Sequence, residues 1–304
     1  MKYVVVTGVS TGIGYGVVEE LVRHGINVFG SVRKEADASR VRAAFGSAFT
    51  PLLFDVTDVA AVQAAAAQVK DRIGPNGLSG LVNNAGIVIA GPLAHISLDE
   101  VRHQFEVNVI GLLNATQAFL PLLGAQKHWP YPPGRIVNIS SISGRVVYPF
   151  VGPYAASKHA LEALSDALRR ELLLYGIDVI VIEPGDISTP IWDKVPDTSP
   201  YRHTDYFPLL SHLLGLVADK KRTALPVSAV AQTIRLALTS EQPKTRYVIS
   251  NNWLLDWLLP RWMPDRWLDR FLARRLGMKS WEAVRVNQAE IKDLGDSARR
   301  SDLR

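Results

Sequence analysis

Short apolar runs rich in β-branched residues alternate along this chain with longer stretches in which apolar positions recur every third or fourth residue. The short runs are Val4–Thr7, Asn27–Ser31, Phe49–Asp55, Gly80–Asn83, Arg135–Ser140, Asp178–Glu183 and Arg246–Ile249. Most are continuously apolar rather than alternating, the pattern of parallel strands covered on both faces. The helical pattern follows Gly14, where Val17, Val18, Leu21 and Val22 recur. It returns over Val59–Ile73, Leu98–Leu123, Tyr154–Tyr175 and Ser228–Thr239. This alternation predicts an α/β fold, a doubly wound parallel sheet of about seven strands with helices on both faces. No internal repeat is visible, and the proline-rich run His128–Gly134 reads as a stiff surface connection before a strand.

The pattern breaks after Thr189. Segment 190–225 is irregular and apolar, with Ile191, Trp192, Tyr201, Tyr206, Phe207, Leu209, Leu210, Leu213 and Leu214. Further on, Trp253, Trp257, Trp262, Trp267 and Trp281 crowd a short stretch. Within it, Asp265–Gly277 reads as a helix with Asp265 as N-cap and Gly277 just past its end. Trp267, Leu268, Phe271, Leu272 and Leu276 form one apolar stripe, opposed by Arg266, Arg270 and Arg274. Such a helix packs on its own domain, lines a pocket, contacts a partner or lies at a membrane surface. The pattern leaves these readings open. From Asn287 onward the chain is charged and poor in apolar residues, so a flexible tail is expected. The organisation is therefore a main unit over 1–252, including segment 190–225, and a Trp-rich helical extension over 253–304.

Two stretches carry candidate chemistry. The first is Thr7-Gly8-Val9-Ser10-Thr11-Gly12-Ile13-Gly14, between the first strand and the first helix. Strand, glycine-rich turn and helix are the context of a dinucleotide site. Gly8 permits a tight turn, Gly12 lets backbone approach a pyrophosphate, and Gly14 lets the helix pack closely on the strand. The phosphates then meet the free N–H groups of the helix N-terminus.

The second is Tyr154-Ala155-Ala156-Ser157-Lys158, with Ser141 thirteen residues upstream. On a helix, positions i and i+4 share a face with Cβ atoms about 5–6 Å apart. An ammonium beside a phenol stabilises the phenolate and lowers a pKa that is otherwise about 10. Such a phenol can give or take a proton in a transition state. Ser141 can offer a second hydroxyl to the same substrate oxygen. Taken alone, the Tyr–Lys spacing also fits an ordinary surface pair.

With both stretches in view, the chain resembles the short-chain dehydrogenase/reductase family. The spacing Gly-x3-Gly-x-Gly over Gly8, Gly12 and Gly14 is that family's form. Asn83-Asn84-Ala85-Gly86, Asn108, Ser141, Tyr154, Lys158 and the segment Pro184–Pro190 match its motifs in order, over about residues 1–250. The resemblance implies a Rossmann-type sheet of order 3-2-1-4-5-6-7 with the cofactor along the carboxyl edge of the strands. It implies a catalytic set of Asn108, Ser141, Tyr154 and Lys158. Cofactor contacts are implied from Gly8, Ser10, Thr11, Gly12, Ile13, Gly14, Arg33, Asp55, Val56, Asn83, Ala85, Gly86, Tyr154, Lys158, Pro184, Gly185, Ile187 and Thr189. In that picture Asp55 bonds the adenine amino group, Thr189 and the backbone near Ile187 orient the nicotinamide carboxamide, and Asn108 positions a water linking Lys158 to solvent. Segment 190–225 becomes a lid over the substrate. A homodimer or homotetramer pairing through Leu98–Leu123 and Tyr154–Tyr175 is implied as well.

The tip of the second strand reads Val32-Arg33-Lys34 and carries no acid to repel a 2′-phosphate. Arg33 has the fork geometry that suits phosphate oxygens, so NADP(H) is expected. Thr11 stands where many NADP-preferring relatives carry a basic residue, which keeps NAD(H) open. Arg33 is otherwise a solvated charge beside Glu35 and Asp37.

Composition narrows the rest. The chain has 304 residues and no cysteine, which excludes disulfides, a thiolate nucleophile and thiolate metal ligands. No metal site is expected. The net charge of +5 reads as a solvated basic surface, with no nucleic-acid partner. A strand begins directly after Met1-Lys2, so no signal peptide is expected, and no run of 18 or more apolar residues suggests a spanning helix. A cytoplasmic protein is expected, with peripheral membrane contact through 253–277 as an option. The apolar segment 190–225 favours a small lipophilic substrate. The stretch Val28–Lys34 and the aromatic extension look similar to steroid and retinol dehydrogenases. The leading expectation is an NADP(H)-dependent oxidoreductase for a bulky secondary alcohol or ketone. The alternatives are a 3-oxoacyl thioester reductase and a non-catalytic dinucleotide-binding regulator. Family members of that last kind lose the Tyr or the Lys, and this chain has both.

Overall fold

The computed structural model describes residues 2–190 and 197–278, and within these the side chains of 216–221 are left aside. Ile191, Trp192, Trp281 and the tail from Asn287 lie outside the described residues. The elements run β1 (Tyr3–Val6), α1 (Gly12–Arg23), β2 (Asn27–Val32), α2 (Glu35–Phe45), β3 (Phe49–Leu53), α3 (Val59–Ile73) and β4 (Gly80–Asn83). Then come α4 (Leu98–Phe105), a π-helical turn (Glu106–Ile110), α5 (Gly111–Phe119), β5 (Arg135–Ile139), α6 (Gly152–Glu171) and β6 (Asp178–Pro184). The chain continues with α7 (Phe207–Thr223), α8 (Val227–Thr239), β7 (Arg246–Ile249), α9 (Leu259–Trp262) and α10 (Asp265–Arg275).

The seven strands form one sheet of order β3-β2-β1-β4-β5-β6-β7, every neighbouring pair parallel. Alternation along each strand feeds two cores. Val4, Val6, Val82, Val137 and Ile182 face a cluster with Val17 and Leu21 of α1 and Val230 and Ile234 of α8. Val5, Leu81, Ile136 and Val179 face the other, with Val62 and Val69 of α3 and Phe119 of α5. Successive strand residues point to opposite faces, so a strand apolar at every position must be covered twice. Fully burying each such side chain contributes roughly 1.5–3 kcal/mol.

Three expectations change. The segment expected to be irregular contains α7, seventeen residues long. Leu209, Leu210, Leu213 and Leu214 recur at helical spacing, and the helix packs into a third cluster with Phe150, Tyr201 and Leu276. Asp265 is the first residue of α10 rather than its cap. Pro264 occupies the cap position, and no side chain caps the helix there. Leu98–Leu123 does carry an 18-residue window of mean hydropathy 1.2, but 61% of it is buried inside the fold, as a core helix is. Gly277 ends α10 as expected, at φ +68, with Met278 N donating to the Ala273 carbonyl.

Candidate active site

The carboxyl ends of β1, β4, β5 and β6 meet along one edge of the sheet, and the motif residues gather there. Gly8 and Gly12 have φ of +70° and +62°, a region that suits glycine. A Cβ on Gly14 would come within 2.2 Å of the Gly8 carbonyl oxygen and 2.5 Å of Asn84 Nδ2. Thr7 Oγ1 accepts from the backbone N–H of Asn84 and Ala85 at 3.0 and 2.9 Å. The Asn84 amide donates to the carbonyls of Thr7 and Gly8, both at 2.9 Å. Gly8 N donates to Ser31 Oγ at 2.9 Å. The turn is thus latched to β4 on one side and β2 on the other. Thr11, at the N-cap of α1, makes no side-chain cap bond, which suits a helix start built to receive an anion. A cradle without room for a Cβ, at a helix start without a side-chain cap, fits a dinucleotide pyrophosphate. Thr7, Asn84 and Ser31 were not singled out from the sequence as site residues. Their adjacency follows from the strand order β2-β1-β4.

Arg33 leaves the end of β2 and is 69% exposed, with Nη1 3.6 Å from Asp55 Oδ2. Burial pushes the Asp55 carboxyl up, but the bonds from the Thr57 N–H and hydroxyl, with Arg33, hold it below the ordinary value. A second cation stands close by that the sequence reading passed over. Arg40 of α2 donates to the Ser10 carbonyl at 2.6 Å and to Asp37 at 2.9 Å, and its guanidinium lies 6.0 Å from the Tyr15 ring centre. It reaches the glycine turn from thirty residues away.

Four side chains gather on the far side of the turn. Ser141 follows β5, and its Oγ accepts from Ser143 N at 3.1 Å. Tyr154 lies near the start of α6, with the Lys158 ammonium 5.8 Å from its ring centre. Lys158 Nζ donates to the Ile139 carbonyl at 2.7 Å. Burial lowers the Lys158 pKa to about 8, with Glu162 opposing. Burial raises the Tyr154 phenol, with the Ser141 hydroxyl opposing. The direction at Tyr154 is opposite to the one expected from its spacing with Lys158. Desolvation of the phenol dominates, and the ammonium is bonded to the backbone of β5.

Asn108 sits on the π-helical turn, a local widening frequent at functional sites. Its Oδ1 accepts from Ile87 N at 2.9 Å, and its Nδ2 donates to the Ile87 carbonyl at 3.0 Å and to Ser157 Oγ at 3.1 Å. It therefore joins the loop after β4 to α6 beside Tyr154.

Below Lys158 lies an ionic layer assembled from distant segments. Glu162, one turn along α6, accepts from Arg145 at 2.8 Å and Arg246 at 3.1 Å. Both arginines also stand 3.4 Å from Glu183 at the end of β6. Burial and then the neighbouring Glu162 push the Glu183 carboxyl up, while Arg145 and the Trp257 indole favour its ionised form.

The remaining motif positions divide. Ala85 and Gly86 follow Asn84 at the edge, and a Cβ on Gly86 would stand 3.3 Å from Asn108 Oδ1. Asn83 turns inward and donates to Thr116 Oγ1 and Asn138 Oδ1, both at 2.9 Å, so its side chain serves the interior. The Val56 side chain also lies in the core, and its carbonyl accepts from Asn114. Ile13 packs partly against the core cluster under α1, and Ile187 lies within it. Pro184 ends β6, Gly185 N donates to the Ile249 carbonyl, and Ser188 N to the Leu225 carbonyl. This lays Thr189 against the glycine turn, 3.6 Å from where a Gly12 Cβ would be. Phe150, Tyr201, Tyr206, Leu209, Leu210, Leu213 and Leu276 pack together as a separate apolar cluster.

A family model for the short chain dehydrogenases matches residues 2–200. The chain is 43% identical over 277 residues to an NADPH-dependent 3-dehydrocapnine reductase of Ornithobacterium rhinotracheale, spanning 91% of this chain and 98% of that protein. It is 33% identical over 285 residues to retinol dehydrogenase 16 of Mus musculus, spanning 89% and 87% of the two chains. A solved short-chain dehydrogenase from Streptomyces avermitilis shares the fold with a TM-score of 0.69 at 26% identity, covering 97% of each chain. The sheet order, the ordered motifs and these full-length likenesses agree: the chain belongs to the short-chain dehydrogenase family and is an oxidoreductase.

Proposed function

We propose that this chain is an NADP(H)-dependent oxidoreductase that interconverts a lipophilic secondary alcohol and its ketone. The observation that carries the reading is the convergence of Ser141, Tyr154 and Lys158 beside a glycine turn without room for a Cβ. A bound nicotinamide supplies the hydride. Gly8–Gly14 and the start of α1 hold the pyrophosphate, with Thr189 lying across the turn. Arg33 and Arg40 would meet a 2′-phosphate, with Asp55 3.6 Å from the Arg33 guanidinium and Arg40 bonded to the Ser10 carbonyl. NADP(H) is favoured over NAD(H) by these two cations and by the NADPH-dependent reductase among the relatives.

In the direction of reduction, Tyr154 gives its proton to the nascent alkoxide oxygen. Its raised pKa keeps the phenol protonated at neutral pH, ready to donate. Ser141 donates a hydrogen bond to the same oxygen and sets its position. Lys158, held by the Ile139 carbonyl, presents a positive charge beside the phenolate that proton transfer leaves behind. Asn108 keeps α6 in register with the loop after β4 and, through this, fixes the Tyr154 backbone. Its two Nδ2 donors are taken by the Ile87 carbonyl and Ser157 Oγ, while Oδ1, which accepts from Ile87 N, keeps a second lone pair for a water linking Lys158 to solvent.

Read as a cover over the site, the apolar cluster of Phe150, Tyr201 and Leu210 supports a bulky lipophilic substrate, and the retinol dehydrogenase relative points the same way. Residues 1–252 form the catalytic unit in this reading, segment 190–225 the substrate cover, and 253–304 an appended element. The protein works in the cytoplasm. It pairs as a homodimer or homotetramer through Leu98–Leu123 and Tyr154–Tyr175, where Leu98, Ile110, Leu173 and Leu174 are exposed.

The test is a screen of NADPH against NADH oxidation over steroid, retinoid, aliphatic and 3-oxoacyl thioester carbonyls. NADPH with a steroid, retinoid or long aliphatic ketone is the expected pair, and exclusive thioester reduction would select the alternative. Tyr154→Phe should reduce turnover by at least about a hundredfold while cofactor still binds. Near-full activity in that variant would overturn the mechanism.

A further inference from the structure

The C-terminal extension leaves more aromatic surface in water than its packing explains. The stripe of α10 splits on folding. Leu276 is buried and Leu268 and Leu272 are half-buried, whereas Trp267 and Phe271, one turn apart, are 66% and 52% exposed. The preceding segment repeats this: Trp253, Leu255 and Leu259 are exposed, and Trp262 is 79% exposed. Indole and phenyl rings are among the largest apolar side chains, and clusters of them in solvent mark a surface that meets something else.

The charges between these rings indicate what. Residues 253–278 hold five arginines, Arg261, Arg266, Arg270, Arg274 and Arg275, all exposed, against three aspartates. One of the three, Asp256, is bonded to Ser250. Trp and Phe interleaved with Arg on a helix of low overall hydrophobicity is the composition of an element lying in a membrane interface. Trp prefers the headgroup level, and Arg meets anionic headgroups there. α10 has eleven residues, against about 20 for a span, so the contact is peripheral.

We propose that residues 253–275 dock this protein on a bilayer carrying anionic lipid, with Trp262, Trp267 and Phe271 entering the interface and Arg266, Arg270 and Arg274 meeting lipid phosphates. The inner side of α10 adds a consequence. Leu276 packs with Phe150, Tyr201 and Leu210 of the proposed cover, and Phe150 stands four residues before Tyr154 in the chain. Docking places that cover beside the bilayer, so a lipophilic substrate enters without crossing water. This consequence rests on the substrate class proposed above, whereas the docking itself does not.

The test is flotation of the full chain with vesicles of phosphatidylcholine plus phosphatidylglycerol, against phosphatidylcholine alone. Binding needs no turnover, so its outcome is separate from that of the carbonyl screen. The expected result is binding to the anionic vesicles that weakens with salt. Trp262→Ser/Trp267→Ser/Phe271→Ser should lose binding to both vesicle types. Arg266→Gln/Arg270→Gln/Arg274→Gln should lower affinity for anionic vesicles on the order of a hundredfold, from the usual contribution of each basic residue at a charged surface. All six residues are exposed, so melting curves should stay close to that of the parent, and the lipid-charge and salt dependence of the unaltered chain is a test without any variant. No binding, or binding indifferent to lipid charge, overturns the proposal. So does a dimer, seen by sedimentation without lipid, that the aromatic variant dissociates, which would assign the surface to a second copy.

Discussion

The Lys158 ammonium donates a 2.7 Å hydrogen bond to the carbonyl of Ile139, anchoring the helix that carries Tyr154 to the end of the strand that leads to Ser141. The bond explains how a lysine is held in a buried position, and burial is what lowers its pKa to about 8 from the usual 10.5.

A pH dependence follows from that value. Carbonyl reduction needs a protonated Tyr154 and a charged Lys158, so kcat/KM should fall as pH rises through about 8. Glu162 favours the charged lysine, and Glu162→Gln should move the inflection to lower pH, read from full pH profiles of both proteins. An unmoved inflection would separate Glu162 from the site. The stability sign is independent. The folded value lies below the unfolded one, so the unfolded chain binds the extra proton between them. On this group's account stability is lowest below about pH 8 and rises from there toward 10.5.

Gly14→Ala should abolish the cradle. Its Cβ would stand 2.2 Å from the Gly8 carbonyl oxygen, a backbone atom that cannot swing aside as a flexible side chain would. The expected outcome is a loss of about 1–3 kcal/mol of stability from overpacking, together with loss of cofactor binding. Thermal melts and NADPH fluorescence titration check both. Retained NADPH affinity would show that the turn adapts.

Arg33 and Arg40 should divide the recognition of a 2′-phosphate. Arg33→Ala should raise the KM for NADPH roughly 10-fold, in line with a charged hydrogen bond on an exposed side chain, and leave the KM for NADH near its parent value. Arg40→Ala should act the same way and additionally loosen the Ser10 turn, weakening NADH binding to a smaller degree. Steady-state kinetics with both cofactors give the two ratios. Equal losses for NADPH and NADH in Arg33→Ala would remove the phosphate from its role.

Arg246 should matter for the fold more than its place on the edge strand suggests. It holds Glu162, Asp166 and Glu183 at once, at 3.1, 2.9 and 3.4 Å. Arg246→Met leaves two buried carboxylates with Arg145 alone and should destabilise by about 3–5 kcal/mol, measured by denaturant unfolding. A loss of under about 1 kcal/mol would show that the layer relaxes or admits water.

What could be read from the chain was whatever depends on neighbours in sequence. The glycine spacing from Gly8 to Gly14 and the four-residue step from Tyr154 to Lys158 are local. The two cores, the sheet order and the turn conformation came out as the pattern and the resemblance indicated. The helix α7 did not, because its aromatic flank at Tyr201, Tyr206 and Phe207 hid a leucine spacing that is plainly helical. Arg40 was overlooked because nothing within α2 shows that its guanidinium returns to Ser10.

The sequence by itself determined the alternation of strand and helix, the positions where only glycine fits and the residue types able to move a proton, because periodicity and allowed backbone angles are set by near neighbours. Tertiary structure decided which polar groups meet and how much water each keeps. Arg145, Glu162, Glu183 and Arg246 become one layer only when α6, β6 and β7 close together. The pKa directions of Tyr154 and Lys158 follow from desolvation that no local pattern encodes. The same packing split the stripe of α10, covering Leu276 and leaving Trp267 and Phe271 outside, because a helix buries only the face that its neighbours reach.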